Sequence, residues 1–124
     1  MTAPMIDPRE AFALLAQGAV LVDVRAREEF EDGHPLAAVN VPLAGFVEGR
    51  LVDREDFVDR VHEACAAGVP LLLLCRSGVR AERAAAQILA RSPRDVRVVR
   101  GGYEGTRGPF GEVLEPGWRR LALP

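Results

Sequence analysis

Apolar positions in this chain come in short blocks, separated by segments rich in Gly, Pro and charge. Ala19 to Val24 and Val69 to Leu74 are nearly unbroken apolar runs. Runs without polar alternation read as strands buried on both faces, which is the habit of parallel sheets. Ala38 to Val41, ended by Pro42, and Val96 to Val99 read as shorter strands. Helical patterns fall between them. Asp7 can cap a helix with Pro8 at its first position and Glu10 reaching back. Phe12, Leu14 and Leu15 form its apolar side, and Gly18 closes it. Arg27 to Asp32 predicts a short helix stopped by Gly33. Leu43 to Leu51 predicts another short helix. Asp53 reads as the N-cap of a longer one running through Val58, Val61 and Cys65 to Gly68. Ala81 to Arg91 is Ala-rich and helix-favouring, closed by Ser92 and Pro93. From Tyr103 the chain is Gly- and Pro-rich, with a short helix expected around Trp118. Strands alternating with helices predict an α/β sandwich on a mainly parallel sheet.

Length and composition narrow this picture. The 124 residues suit one domain over 1–124, with a core over about 5–105 and a Gly/Pro-rich extension over 105–124. Hydrophobic residues make up 48% and charged residues 27%, a globular balance. The 16 basic residues are all Arg and the acidic total is 18, for a net charge of −2. That balance argues against bulk electrostatic binding to nucleic acid or a membrane surface, and the absence of Lys excludes Schiff-base chemistry. Two Cys and two His fall into no metal-ligand spacing, so no metal site is expected. The N-terminus lacks the basic and apolar regions of a secretory signal, so the expectation is a cytoplasmic protein with reduced thiols.

The chemistry gathers at the carboxyl ends of the strands, where open α/β sheets bind ligands. Asp23-Val24-Arg25, Asn40-Val41-Pro42, Cys75 and Gly101-Gly102 all fall there. Cys75 is the sharpest feature. It opens the loop Cys75-Arg76-Ser77-Gly78-Val79-Arg80, between a buried strand and a helix. Such a loop can turn successive backbone N–H groups inward as an anion nest. The helix start near Val79 adds the positive end of a dipole, and Arg76 and Arg80 add formal charge. All three favour thiolate over thiol and would also hold an anionic substrate. The competing account, an inert buried Cys, fits this strand–nest–helix setting less well.

Other residues read as structural. Asp23 and Arg25, at the strand-end edge, are expected to form a local ion pair or hydrogen-bonded scaffold, the alternative being that they orient the active loop or a substrate, and His34 is expected to tether the Gly33 turn. His62 reads as a helix-surface residue. Cys65 lies at the opposite end of the strand that Cys75 ends, more than about 10 Å away along the strand, beyond the roughly 7 Å between Cα atoms that a disulfide tolerates. Core packing accounts for it. Tyr103 and Trp118 read as core or capping aromatics.

Five stretches together resemble the single-domain rhodanese family, the thiosulfate sulfurtransferase-like fold. They are Leu21-Val22-Asp23-Val24-Arg25, Glu29-Phe30-Glu31-Asp32-Gly33-His34, Val39-Asn40-Val41-Pro42, Cys75-Arg76-Ser77-Gly78-Val79-Arg80 and Gly101-Gly102-Tyr103. The resemblance implies a three-layer α/β sandwich whose five-stranded sheet takes Met5-Ile6 as its first strand. It implies that Cys75 receives sulfane sulfur from thiosulfate or a related persulfide donor, carries it as a persulfide, and yields it to cyanide or a thiol. Arg76, Ser77, Gly78, Val79 and Arg80 would cradle it, largely through backbone N–H groups. No metal or organic cofactor is implied. Four residues separate Cys75 from Arg80. That is shorter than the loop of related phosphatases and arsenate reductases, and it argues against phosphoryl transfer. A carrier or persulfide-sensing module that hands sulfur to a partner protein is the alternative. The chain departs from the family in placing Pro35 one position early, directly after Gly33-His34, in Ala81 after the loop, and in Thr106 where an aromatic is usual. Trp118 fits the family's terminal tryptophan displaced by an insertion, which would leave Tyr103 to Gly111, with the Gly-rich stretch 105–111, as a loop near the strand ends that could shape the acceptor site.

Overall fold

The structure is a computed structural model that describes residues 2–124. In chain order the elements are β1 (Met5–Ile6), α1 (Pro8–Leu15), β2 (Val20–Asp23), α2 (Arg27–Asp32), β3 (Val39–Asn40), β4 (Ala44–Val47) and β5 (Arg50–Asp53). They continue as α3 (Phe57–Ala64), β6 (Leu71–Leu74), α4 (Val79–Arg91), β7 (Val96–Val99), β8 (Gly105–Arg107) and β9 (Val113–Pro116). Five strands form one parallel sheet in the order β1-β7-β6-β2-β3. The expected α/β sandwich with a parallel sheet is therefore the observed one.

Alternation along the central strands sorts their side chains to two faces. Val22, Leu71, Leu73, Val96 and Val98 pack against α3 and α4, through Phe57, Val61, Ala84 and Ile88. Leu21, Leu72, Leu74 and Val99 face the other way, against Ala11 of α1 and Trp118. Leu71 to Leu74 are all 0% exposed, which is why their sequence shows no polar alternation. Asp7 caps α1 by accepting from the Arg9 N–H at 2.8 Å, with Pro8 in the first turn. No helix among the described residues is long and apolar enough to cross a membrane.

Three expectations fail. Leu43 to Leu51 is not a helix; it lies in the antiparallel hairpin β4–β5, where Phe46 faces Leu51. Glu48 and Gly49 turn it, both with positive φ (51° and 79°). A two-residue turn of that kind matches strand twist, and β-branched and aromatic residues suit the arms. Asp53 consequently ends β5 and pairs with Arg83 at 2.6 Å, while α3 begins later, after Asp56. The chain around Trp118 makes turns, not a helix, and Gly105 to Pro116 forms the hairpin β8–β9. Trp118 is 1% exposed and meets Phe12 edge-on at 6.1 Å. Its burial, with Gly117 beside it, decides the backbone there more than helix propensity does.

Candidate active site

β6 delivers Cys75 to the carboxyl edge of the sheet, and α4 starts four residues later. Between them Gly78 sits at φ 120°, a conformation open to glycine. That turn aims the Gly78 N–H at the Cys75 sulfur, 2.9 Å away. The sulfur thus receives a backbone donor at the positive end of a 13-residue helix, and Cys75 is 1% exposed. Ser77 is half-buried beside it, whereas Arg76 and Val79 stand exposed at the rim.

The outer side of the loop is fixed by the chain after β7. Tyr103 N–H donates to the Cys75 carbonyl at 2.8 Å, and Glu104 N–H donates to the Arg76 carbonyl at 2.9 Å. Gly102 makes the approach possible, since a Cβ there would lie 2.7 Å from the Arg76 carbonyl carbon. Gly102 is therefore a packing requirement of the loop, while Gly101 is held close to Pro116 of β9.

Beneath the loop lies a charged lattice. Arg25 and Asp23 are both buried and pair through three contacts, Nε to Oδ1 at 3.0 Å and to Oδ2 at 3.1 Å, and a second guanidinium nitrogen to Oδ2 at 2.8 Å. The same guanidinium donates to the Gly33 carbonyl at 2.7 Å and lies 4.6 Å above the Tyr103 ring. Asn40 Nδ2 donates to the Asp23 and Arg25 carbonyls at 2.9 and 3.0 Å, joining a second strand end. Asp23 and Arg25 thus form a buried ion pair tied to the Gly33 turn and to Asn40 of β3. His34 tethers the turn after α2 through Nδ1 and the Phe30 carbonyl at 2.7 Å, stacked on the Phe30 ring. Cys65 packs in the core, its thiol pushed up by burial against the opposing pull of Arg94; it and Cys75 are free thiols.

Arg80 departs from a simple anion-attracting role. Its guanidinium closes a bidentate bridge to Glu29, at 2.6 and 2.9 Å. The Glu29 hydrogen bonds hold Arg80 more firmly protonated, with smaller help from charge on Cys75 and Asp23. In return the Arg80 hydrogen bonds hold the Glu29 carboxyl below its ordinary range, against the opposing effect of burial. Glu29 also accepts from the Ala26 N–H at 3.1 Å, fixing the start of α2. Sequence reasoning assigned Glu29 no role at this site. The available signal was that a half-buried loop arginine needs a counter-charge, but α2 offers several acids.

The sequence model of the rhodanese-like domain family matches residues 7–108. The chain belongs to that family. This rhodanese-like chain is similar to thiosulfate sulfurtransferase 18 of Arabidopsis thaliana, 35% identical over 101 residues, spanning 79% of this chain and 74% of that protein. It is also similar to thiosulfate sulfurtransferase GlpE of Pseudomonas syringae, 35% identical over 99 residues, spanning 80% of this chain and 82% of that protein. Among solved structures, Rv0390 from M. tuberculosis superposes with a TM-score of 0.82 at 29% identity, covering 100% of this chain and 97% of that one. The family match ends inside the excursion between β8 and β9, so most of that hairpin lies beyond it.

Proposed function

We propose that the protein is a sulfurtransferase whose Cys75 carries sulfane sulfur as a persulfide. The observation that carries this reading is the Gly78 N–H on the Cys75 sulfur at 2.9 Å, at the start of α4. A donor fixed there offsets negative charge on sulfur in both states of a cycle. In the first half, the Cys75 thiolate attacks the outer sulfur of thiosulfate. A Cys75–sulfur bond forms, the sulfur–sulfur bond of the donor breaks, and sulfite leaves with its electron pair. In the second half, a nucleophile such as cyanide attacks the outer persulfide sulfur, thiocyanate departs, and the Cys75 thiolate returns. No net oxidation occurs, and every group involved sits on this chain or on a substrate. The similarity to proteins named thiosulfate sulfurtransferases supports thiosulfate as donor, and the four residues between Cys75 and Arg80 argue against phosphoryl transfer.

The test is the intact mass of the reduced protein after thiosulfate treatment and removal of excess reagent. The expected result is a gain of one sulfur atom, discharged by cyanide and absent in Cys75→Ala. No gain in the unsubstituted protein overturns the reading.

A further inference from the structure

The hairpin β8–β9 is absorbed neither by the sulfur-carrying step nor by the core. Because Tyr103 and Glu104 are bonded to the active loop, the hairpin is held against it. A cavity of about 440 Å³ opens between them, with Arg76 and Ser77 on one wall and Glu104, Thr106 and Arg107 on the other. A second space of about 360 Å³ shares Glu104, Thr106 and Arg107 and extends to Arg119 and Arg120. Four arginines and one carboxylate line this groove. The carboxylate, Glu104, is paired with Arg119 at 3.3 Å. Arg76, Arg107 and Arg120 have no carboxylate partner among the described residues. Arg107 is held in place by the Gly111 carbonyl at 2.9 Å. The hairpin's other acids are engaged elsewhere, Glu112 with the Phe110 N–H at 3.0 Å and Glu115 with Arg100 at 3.7 Å.

On a chain of net charge −2, this is a local concentration of positive charge leading away from the loop. A small dianionic donor is matched by the loop N–H and Arg76 alone. Arg107 and Arg120 lie farther out and fit a second, longer anion. We infer that this groove receives the sulfur acceptor, and that the acceptor is a thiol carrying two or more carboxylates, with Arg107 and Arg120 as specificity-determining residues. The inference rests on the sulfur-carrier reading of Cys75. In the step it describes, the acceptor thiolate attacks the outer persulfide sulfur. A new sulfur–sulfur bond forms on the acceptor, the bond to Cys75 breaks, and Cys75 leaves as thiolate. The carboxylates stay on the arginines and take no part in the bond changes. The required thiol could be a free small molecule or part of an acidic protein segment; the groove reads the same charges in either.

The experiment loads the full chain with thiosulfate and measures discharge of the persulfide by 2-mercaptoethanol, 3-mercaptopropionate and mercaptosuccinate, which carry zero, one and two carboxylates. Rates are compared per thiolate at low salt. The expected result is a preference of about tenfold or more for mercaptosuccinate over mercaptoethanol, shrinking as salt rises. Arg107→Gln and Arg120→Gln should each lower that preference about threefold. Arg60→Gln, the same charge change on the exposed side of α3, should keep it. Thiosulfate loading of each variant, read by mass, reports whether the site is folded. An acidic peptide with one cysteine separates the sources. Discharge faster than by mercaptosuccinate supports a protein-borne thiol, and equal or slower discharge supports a small molecule. Equal rates across the three thiols, or a preference unmoved by both groove variants, overturn the inference while cyanide discharge keeps the sulfur-carrier reading. Failure to load any sulfur overturns both.

Discussion

Asp23 and Glu29 are both carboxylates paired with an arginine under the same loop, yet they call for different consequences. Asp23 is fully buried, and its loss would strand the buried Arg25 guanidinium without a counter-charge. Asp23→Asn should therefore cost about 3–5 kcal/mol of stability, read from urea unfolding. Glu29 is more accessible, and Glu29→Gln should cost less, about 1–3 kcal/mol, while loosening Arg80 and slowing sulfur loading. Glu29 titrates below its ordinary 4.5 because Arg80 bonds its charged form. A carboxyl depressed in the folded state adds stability above its unfolded value, and that contribution is lost as pH falls through the folded value. The stability gap between the parent protein and Glu29→Gln should thus be constant above about pH 5.5 and close below pH 4.5, as followed by thermal unfolding across pH. Cys75 was legible from sequence because strand, nest and helix are consecutive. Glu29 was not, because it reaches Arg80 across 51 positions and nothing local selects it over Glu28 or Glu31.

At the scale of elements, the active loop is a part shared between two segments. β6 and α4 form its ends, and the chain from Gly101 to Glu104 forms its outer wall. Gly102→Ala would force a methyl group onto the loop's backbone carbonyls, which cannot rotate away as a side chain could. The expected outcome is loss of sulfur loading together with destabilisation, measured by intact mass and thermal unfolding. The backbone there also holds φ at 61°, which a side chain resists. Trp118 anchors the far end of the hairpin segment, with its backbone N–H donating to the Gly102 carbonyl at 2.9 Å. Trp118→Ala should cost about 3–5 kcal/mol, checked by urea unfolding. The long buried strands and α4 were legible because their patterns are strong and local. The hairpin β4–β5 was not, since an apolar stretch of that length suits either period and its Glu48-Gly49 turn is a weak signal beside Asn-Gly or Asp-Gly.

For the molecule as a whole, net charge is a poor guide to how it meets its substrates. The chain carries −2 overall, but Arg76 and Arg107 line the cavity beside the active loop, and Arg120 lines the space that continues from it. Sulfur loading from thiosulfate should slow as ionic strength rises, in rapid-mixing measurements, although like charge overall would predict the reverse.

The sequence by itself determined the layered α/β class and the place of the thiol. Both depend on neighbours along the chain: runs that must be buried on two faces, and a loop whose N–H groups are consecutive. Only the tertiary structure decided which acid clamps Arg80, that Arg25 reaches the Gly33 carbonyl and the Tyr103 ring, and that the C-terminal residues form a hairpin walling a cationic groove. Those features depend on contacts between distant segments, and a long-range partner is selected by the packing of the whole sheet and not by any local preference.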